Sequence, residues 1–333
     1  MMRKLAVIGA GSWGTALAIA CAPKAEQVGL WAREANVAEG VNRERRNPVF
    51  LPDCPIPENV TAHSDFERCL DGADLVLFVP PSHAMRQIAQ YAKPWLHPGQ
   101  LLVSATKGLE ENTHLRMSQV IRESLPEAFS SRLAVLSGPS FAREVALGEP
   151  AALVVASNSE EVATAAQERL SGSNLRLYTN RDEVGVELGA SVKNVIAIAA
   201  GVCTGLGLGS NTLAALITRG LAEITRLAMA YGAKPATLAG LSGMGDLVLT
   251  CNGALSRNRT LGIELASGRA LPEILGGMSM VAEGVKTTFA ALELARERAV
   301  EMPITAQMAD LLAGRKSASE ALRELMERSL KAE

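Results

Sequence analysis

The apolar residues of this chain follow two different rhythms. As far as Asn180, short continuous apolar runs recur at residues 5–8, 28–31, 74–79, 100–105, 133–136, 151–155 and 175–178. Runs of that length without alternation are the pattern of strands buried on both faces of a parallel sheet. Stretches of helical period lie between them, and strands alternating with helices predict a doubly wound α/β sheet. Beyond Asn180 the strand-like runs nearly vanish and helical periodicity continues to the end. Two domains follow, an α/β one over residues 1–182 and an all-helical one over residues 183–333.

The first run leads directly into Gly9, Gly11 and Gly14 at G-x-G-x-x-G spacing, with Ser12 and Trp13 between them and a helical stretch from Thr15. Each glycine has a physical role: a tight turn at Gly9, close approach of a pyrophosphate at Gly11, and helix-on-strand packing at Gly14. The free N–H groups and dipole of the helix N-terminus favour the phosphates. Lying between a strand and a helix, the fingerprint predicts a Rossmann-type dinucleotide-binding domain over residues 1–182. The second strand ends on Arg33, a residue suited to the 2′-phosphate of NADP, although Glu34 beside it mixes the charge signal. NADP(H) is therefore expected as the preferred cofactor and NAD(H) as a possible one. Met1-Met2-Arg3-Lys4 and the apolar stretch behind it imitate a secretory signal. Cleavage after Ala22 would discard the fingerprint, so the stretch reads as structure.

Composition narrows the partners. The chain has 333 residues, 48% of them hydrophobic, and a net charge of −2 from 33 basic and 35 acidic side chains. That balance argues against general nucleic-acid binding. Five cysteines without C-x-x-C spacing, and four histidines without an H-x-x-x-H pair, indicate a reducing compartment and no metal site. The uncharged stretch 194–217 is broken by Asn194, Thr204, Ser210 and many glycines, so it reads as buried helix plus a glycine loop at 201–209 and not as a membrane span.

Candidate chemistry lies where runs end and helices begin. Lys107 follows the 100–105 strand, at the edge where doubly wound sheets bind ligands. Ser82 and Ser140 are expected to cap helices, and the proline-dense residues 47–52 read as a loop near the adenosine end of the site. In the helix expected over residues 184–202, Lys193 shares its face with Gly189, Ala190, Ile196, Ala197 and Ala200. A lysine among such neighbours is desolvated and suited to proton transfer. Asp246, after a glycine-lined turn, has three readings: it orients Lys193, accepts a substrate hydroxyl, or caps a helix. Ser256-Arg257-Asn258-Arg259 opens a helix as an anion-binding constellation. Glu283 precedes the next helix, within reach of a cofactor amide or ribose.

Taken together, these segments resemble the bacterial NAD(P)-dependent glycerol-3-phosphate dehydrogenases over essentially the whole chain. The resemblance is carried by Gly9-Ala10-Gly11-Ser12-Trp13-Gly14, Ala105-Thr106-Lys107-Gly108-Leu109-Glu110, Ser137-Gly138-Pro139-Ser140-Phe141-Ala142 and Val192-Lys193-Asn194-Val195. It continues through Leu216-Ile217-Thr218-Arg219-Gly220, Gly245-Asp246-Leu247-Val248-Leu249-Thr250-Cys251, Ser256-Arg257-Asn258-Arg259 and Val281-Ala282-Glu283-Gly284. It implies an oxidoreductase that moves a hydride reversibly between NAD(P)H and dihydroxyacetone phosphate, giving sn-glycerol 3-phosphate for phospholipid synthesis. By similarity, Ser12, Trp13, Arg33, Ala142, Val281 and Glu283 bind the dinucleotide, and Lys107 touches both ligands. Gly138, Ser140, Asp246, Ser256, Arg257 and Asn258 hold substrate, Arg257 lies also near the cofactor, and Lys193 donates and accepts the proton. A cytoplasmic homodimer acting on a small phosphorylated substrate is the further implication. The chain departs from the family at residues 23–27, where relatives usually show a Gly-His-Glu turn, and at Thr204, where many carry aspartate.

Two other readings use the same plan. A 3-hydroxyacid or ketopantoate-type reductase would need a carboxylate site, which Ser256-Arg257-Asn258 could supply. A non-catalytic NAD(P) sensor would have no need of Lys107, Lys193 and Asp246.

Overall fold

The computed structural model describes residues 1–277 and 282–329. Its chain divides into two compact units, one of residues 1–110 and 115–187, the other of residues 111–114 and 188–333.

The first unit is built on eight strands: β1 (Met2–Ile8), β2 (Ala25–Trp31), β3 (Val60–His63), β4 (Leu75–Phe78), β5 (Leu101–Ser104), β6 (Leu133–Ser137), β7 (Ala151–Ala156) and β8 (Leu175–Asn180). They form one sheet in the order β3-β2-β1-β4-β5-β6-β7-β8. Its helices are α1 (Ser12–Cys21), α2 (Ala35–Glu39), α3 (Phe66–Leu70), α4 (Met85–Ala92), α5 (Met117–Ser124), α6 (Glu127–Ser130), α7 (Ala142–Ala146) and α8 (Glu160–Leu170). The continuous apolar runs are explained by two cores, one per face. Leu5, Val7, Leu75, Leu77, Leu101 and Val103 enter one core, while Ala6, Ile8, Val76, Phe78 and Leu102 enter the other. Alternate side chains of each strand point to opposite faces, so covering both faces requires every position to be apolar.

The sheet is parallel from β3 to β6, but β7 pairs antiparallel with β6. This corrects the expectation of an all-parallel sheet. The chain leaving β6 turns at Gly138, with φ of 143°, and packs α7 onto α1. It re-enters the sheet from the end it left, so β7 runs back. β8 then lies parallel to β7.

Two further local expectations are revised. Ser140 does not cap α7, because the helix starts at Ala142 with Phe141 at its N-cap, and the Ser140 hydroxyl donates to the Gly138 carbonyl at 3.0 Å. Ser82 is the first residue of a 3₁₀ turn that precedes α4. Val60–His63, which carries no continuous apolar run, adds an edge strand to those expected.

Helix α9 (Glu183–Gly205) bridges the division at residue 187. The second unit continues with α10 (Ser210–Ala230), α11 (Pro235–Leu238), α12 (Asp246–Asn252), α13 (Arg257–Ala266), α14 (Leu271–Gly276), α15 (Glu283–Glu297), α16 (Pro303–Leu312) and α17 (Ala318–Met326). Helix α9 is long and apolar enough to cross a membrane, yet its apolar window is wholly buried within the protein. Gly201 and Gly205, expected in a loop, belong to this helix. A Cβ on Gly201 would be driven into the Arg259 carbonyl, and one on Gly262 into the Ile198 carbonyl. The glycines are where α9 and α13 touch backbone to backbone, and the loop shrinks to residues 206–209.

Candidate active site

In the first unit the chemistry gathers on the turn between β1 and α1. Gly9 has φ of 118°, and a Cβ there would lie 2.8 Å from the Val79 carbonyl oxygen. A Cβ on Gly14 would be driven into the Gly9 carbonyl. Gly11 differs, because a Cβ there would meet nothing within 4 Å. Two glycines thus close the turn against the sheet, and the third leaves open space beside the first N–H groups of α1. No acidic side chain occupies the first turn of that helix. An open, anion-favouring helix start of this kind fits a dinucleotide pyrophosphate. Ser12 and Trp13 begin the helix. The Trp13 ring packs against the core, and its Nε1 is buried with no hydrogen-bond partner among the described residues.

At the tip of β2 the Arg33 guanidinium reaches Glu34 Oε1 through Nε at 2.9 Å and a terminal nitrogen at 2.5 Å. It stays 79% exposed, within the range of ligands in solution. At the end of β5, Lys107 turns its ammonium to the Gly138 carbonyl at 3.1 Å. Ser140 donates to the same oxygen, so Lys107, Gly138 and Ser140 form one polar group, with Ala142 following at the first position of α7.

In the second unit Lys193, 5% exposed, donates to Asp246 Oδ1 at 2.5 Å and to Thr250 Oγ1 at 2.6 Å. Asp246 is 1% exposed and opens α12 after Gly245, and the Thr250 hydroxyl one turn later donates to the Asp246 carbonyl at 2.6 Å. Of the three readings of Asp246, the pairing with Lys193 is visible in the structure. A lone buried ammonium would be costly, and the carboxylate compensates its charge. Thr250 went unassigned from sequence, although its i, i+4 spacing from Asp246 places both on one helix face. Cys251, beside it, is inert: burial pushes its thiol up to about 12.

The start of α13 lies in this unit too. Ser256 caps the helix, its Oγ accepting from the Arg259 N–H at 3.3 Å. Asn258 Oδ1 accepts the Gly284 N–H at 3.0 Å, which ties α13 to the start of α15. Arg257 remains exposed. Crowding by protein atoms draws its guanidinium below the ordinary arginine value while the Glu283 carboxylate acts in the opposite direction. It stays a cation. Glu283 is the first residue of α15, and Val281 lies outside the described residues.

A glycine turn shaped for a dinucleotide, followed in a helical unit by a buried lysine held by a carboxylate and a hydroxyl, defines a nicotinamide-dependent dehydrogenase. Residues 4–163 match the family model of the NAD-dependent glycerol-3-phosphate dehydrogenase N-terminus, and residues 182–323 that of its C-terminus. The chain belongs to the NAD-dependent glycerol-3-phosphate dehydrogenase family. It is 53% identical to a glycerol-3-phosphate dehydrogenase [NAD(P)+] of Citrifermentans bemidjiense, over 100% of this chain and 99% of that one. A second such enzyme, from Koribacter versatilis, is 53% identical over 82% of this chain and 81% of its own. The crystal structure of glycerol-3-phosphate dehydrogenase from Coxiella burnetii superposes with a TM-score of 0.91 at 40% identity, covering 98% and 99% of the two chains. A ketopantoate reductase from Ralstonia eutropha shares the fold, with a TM-score of 0.60 at 18% identity.

Proposed function

We propose that this chain reduces dihydroxyacetone phosphate reversibly to sn-glycerol 3-phosphate with NAD(P)H, supplying glycerophospholipid synthesis. The observation that carries the reading is Lys193, buried and held at 2.5 Å by Asp246 and at 2.6 Å by Thr250. The nicotinamide cofactor, when bound, supplies or takes the hydride. Lys193 gives the proton that neutralises the alkoxide forming at C2 of the substrate, and takes it back in the reverse direction. Asp246 keeps the ammonium fixed, and the Thr250 hydroxyl sets its direction.

Residues 1–182 serve as the dinucleotide-binding domain in this reading, and residues 183–333 as the substrate and catalytic domain. Ser12, Trp13, Arg33, Lys107, Ala142, Arg257, Val281 and Glu283 serve the cofactor together with the three glycines. Gly138, Ser140, Lys107, Lys193, Asp246, Ser256, Arg257 and Asn258 serve the substrate. The N-terminus of α13 takes the phosphate: its first N–H groups and the Arg257 guanidinium supply positive charge, and Ser256 still has its hydroxyl proton to donate. Binding energy from the phosphate then orients the ketone. NADP(H) is preferred through Arg33, while Glu34, its present partner, leaves room for NAD(H). The reading extends to a cytoplasmic homodimer, supported by the family resemblance; light scattering on the purified chain reads the subunit number.

The test is the loss of 340 nm absorbance with NADPH and dihydroxyacetone phosphate, repeated with NADH and with ketopantoate. Turnover confined to dihydroxyacetone phosphate is the expected result. Turnover of ketopantoate in its place would overturn the assignment, as would cofactor binding without turnover of either ketone.

A further inference from the structure

The proline-dense segment after α2 holds a residue that neither the motifs nor the proposed chemistry uses. Asn47 is fully buried in the first unit. Its Nδ2 donates to the Ala10 carbonyl at 2.8 Å and to Thr15 Oγ1 at 2.8 Å. Its Oδ1 accepts the Val49 N–H at 3.3 Å and the Phe50 N–H at 3.1 Å. Thr15 Oγ1 donates in turn to the Ala10 carbonyl at 3.3 Å, closing a triangle. The amide orientation is unambiguous, because acceptors lie at one end of it and N–H donors at the other.

The partner oxygen matters more than the number of bonds. Ala10 is the residue between Gly9 and Gly11, and its carbonyl shares one peptide plane with the Gly11 N–H. In a trans peptide the two point in opposite directions. Fixing the carbonyl toward Asn47 therefore turns the Gly11 N–H to the other side, and Gly11 is the glycine beside open space. Glycine-rich turns otherwise have many accessible backbone states, since no Cβ restricts them. A polar side chain reaching in from 37 residues away removes that freedom. The segment carrying Asn47 is anchored independently. Pro48 packs against Gly40, Phe50 packs against the core, and Leu51 pairs by a backbone bridge with Asn47. Arg45, just before it, donates to the carbonyls of Ile56, Pro57 and Val60.

We propose that Asn47 is a positioning residue for cofactor binding, holding the Ala10–Gly11 peptide in the orientation that receives the dinucleotide pyrophosphate. The proposal rests on the dinucleotide reading above. Preorganising the turn lowers the ordering cost of binding, so its loss appears in cofactor affinity and not in the chemical step.

The test uses the full-length chain and titrates NADPH, followed by nicotinamide fluorescence, with thermal melting and steady-state kinetics alongside. Asn47→Ala is expected to raise the NADPH Kd about tenfold, with kcat at saturation within about twofold of the parent. Thr15→Val, which removes two sides of the triangle and leaves the Asn47–Ala10 bond, is expected to raise Kd by only about twofold to threefold. Asn47→Asp, which keeps the acceptor for Val49 and Phe50 and loses the donor, should match the alanine variant, and it serves if that variant does not fold. Variants that melt earlier yet bind NADPH with the parent Kd would reduce Asn47 to a structural residue and overturn the proposal. A kcat loss at unchanged Kd would overturn it too. Failure of the parent chain to bind either dinucleotide would remove the dinucleotide reading itself, an outcome read before any variant is made.

Discussion

Lys193, Asp246 and Thr250 differ in what their removal leaves behind. Lys193→Ala takes away the proposed proton donor and leaves a buried carboxylate, so kcat should fall by about 10³-fold or more while NADPH affinity is retained. Asp246→Asn leaves the ammonium buried without its counter-charge. Breaking one side of a buried pair costs about 3–5 kcal/mol, so this variant should lose both activity and several degrees of melting temperature. Thr250→Val removes one neutral hydrogen bond and should cost kcat about tenfold with little change in stability. Equal losses in all three would contradict this division of roles. Lys193 was legible in the sequence because a charge in an apolar helix is conspicuous. Its partners come from a helix 53 residues away, and only folding brings Asp246 onto the ammonium.

Elements differ in how much of their meaning is local. The strands covered on both faces could be read directly, since two cores demand unbroken apolar runs. The direction of β7 could not, because it depends on where α7 packs after β6, and the short β3 carries no such run. Glycines were the most misleading. Gly201 and Gly205 look like loop residues by composition, yet they permit α9 to lie against α13. Gly201→Ala should therefore destabilise the fold by about 1–3 kcal/mol, the usual range for overpacking, read as a lower urea midpoint. Gly11→Ala has open space and a φ of −65° that alanine accepts, so its melting temperature should be unchanged while NADPH binding weakens. Opposite outcomes would reverse the assignment of these glycines. Glu223 shows the same dependence on partners. Its buried carboxylate on α10 accepts the N–H groups of Ile304 and Thr305 at the start of α16, at 2.6 and 3.2 Å. Burial nevertheless holds its carboxyl above the ordinary glutamate value, with those N–H groups acting against the shift. Folding therefore favours the protonated form. The resulting contribution is fully present below the unfolded value and is lost as pH rises through the folded one. Urea midpoints measured across that window should fall with rising pH in the parent, and Glu223→Gln should remove that component of the slope.

At the scale of the molecule, the two compact units make two separable binding claims. The glycine turn, Arg33 and Asn47 lie in the first unit, and Lys193, Asp246 and the start of α13 lie in the second. Each ligand should therefore leave its own imprint on backbone hydrogen exchange, because a bound ligand suppresses the local openings through which amides exchange. NADPH alone should slow exchange in residues 9–15 and 46–51, where the turn and its Asn47 clamp lie. Glycerol 3-phosphate alone should slow exchange at residues 256–260, the capped start of α13, and leave the glycine turn as it was. Ligand at about 100 times its Kd adds roughly 2.7 kcal/mol to the unit that binds it, enough to slow those amides about a hundredfold. Inorganic phosphate at high concentration should reproduce the α13 protection weakly, since the helix start recognises the anion and not the carbon chain. Protection by glycerol 3-phosphate confined to the Lys107–Gly138–Ser140 group would move the phosphate site into the first unit. The Arg257 cation would then lose its part in substrate binding and keep only its proposed part in cofactor binding.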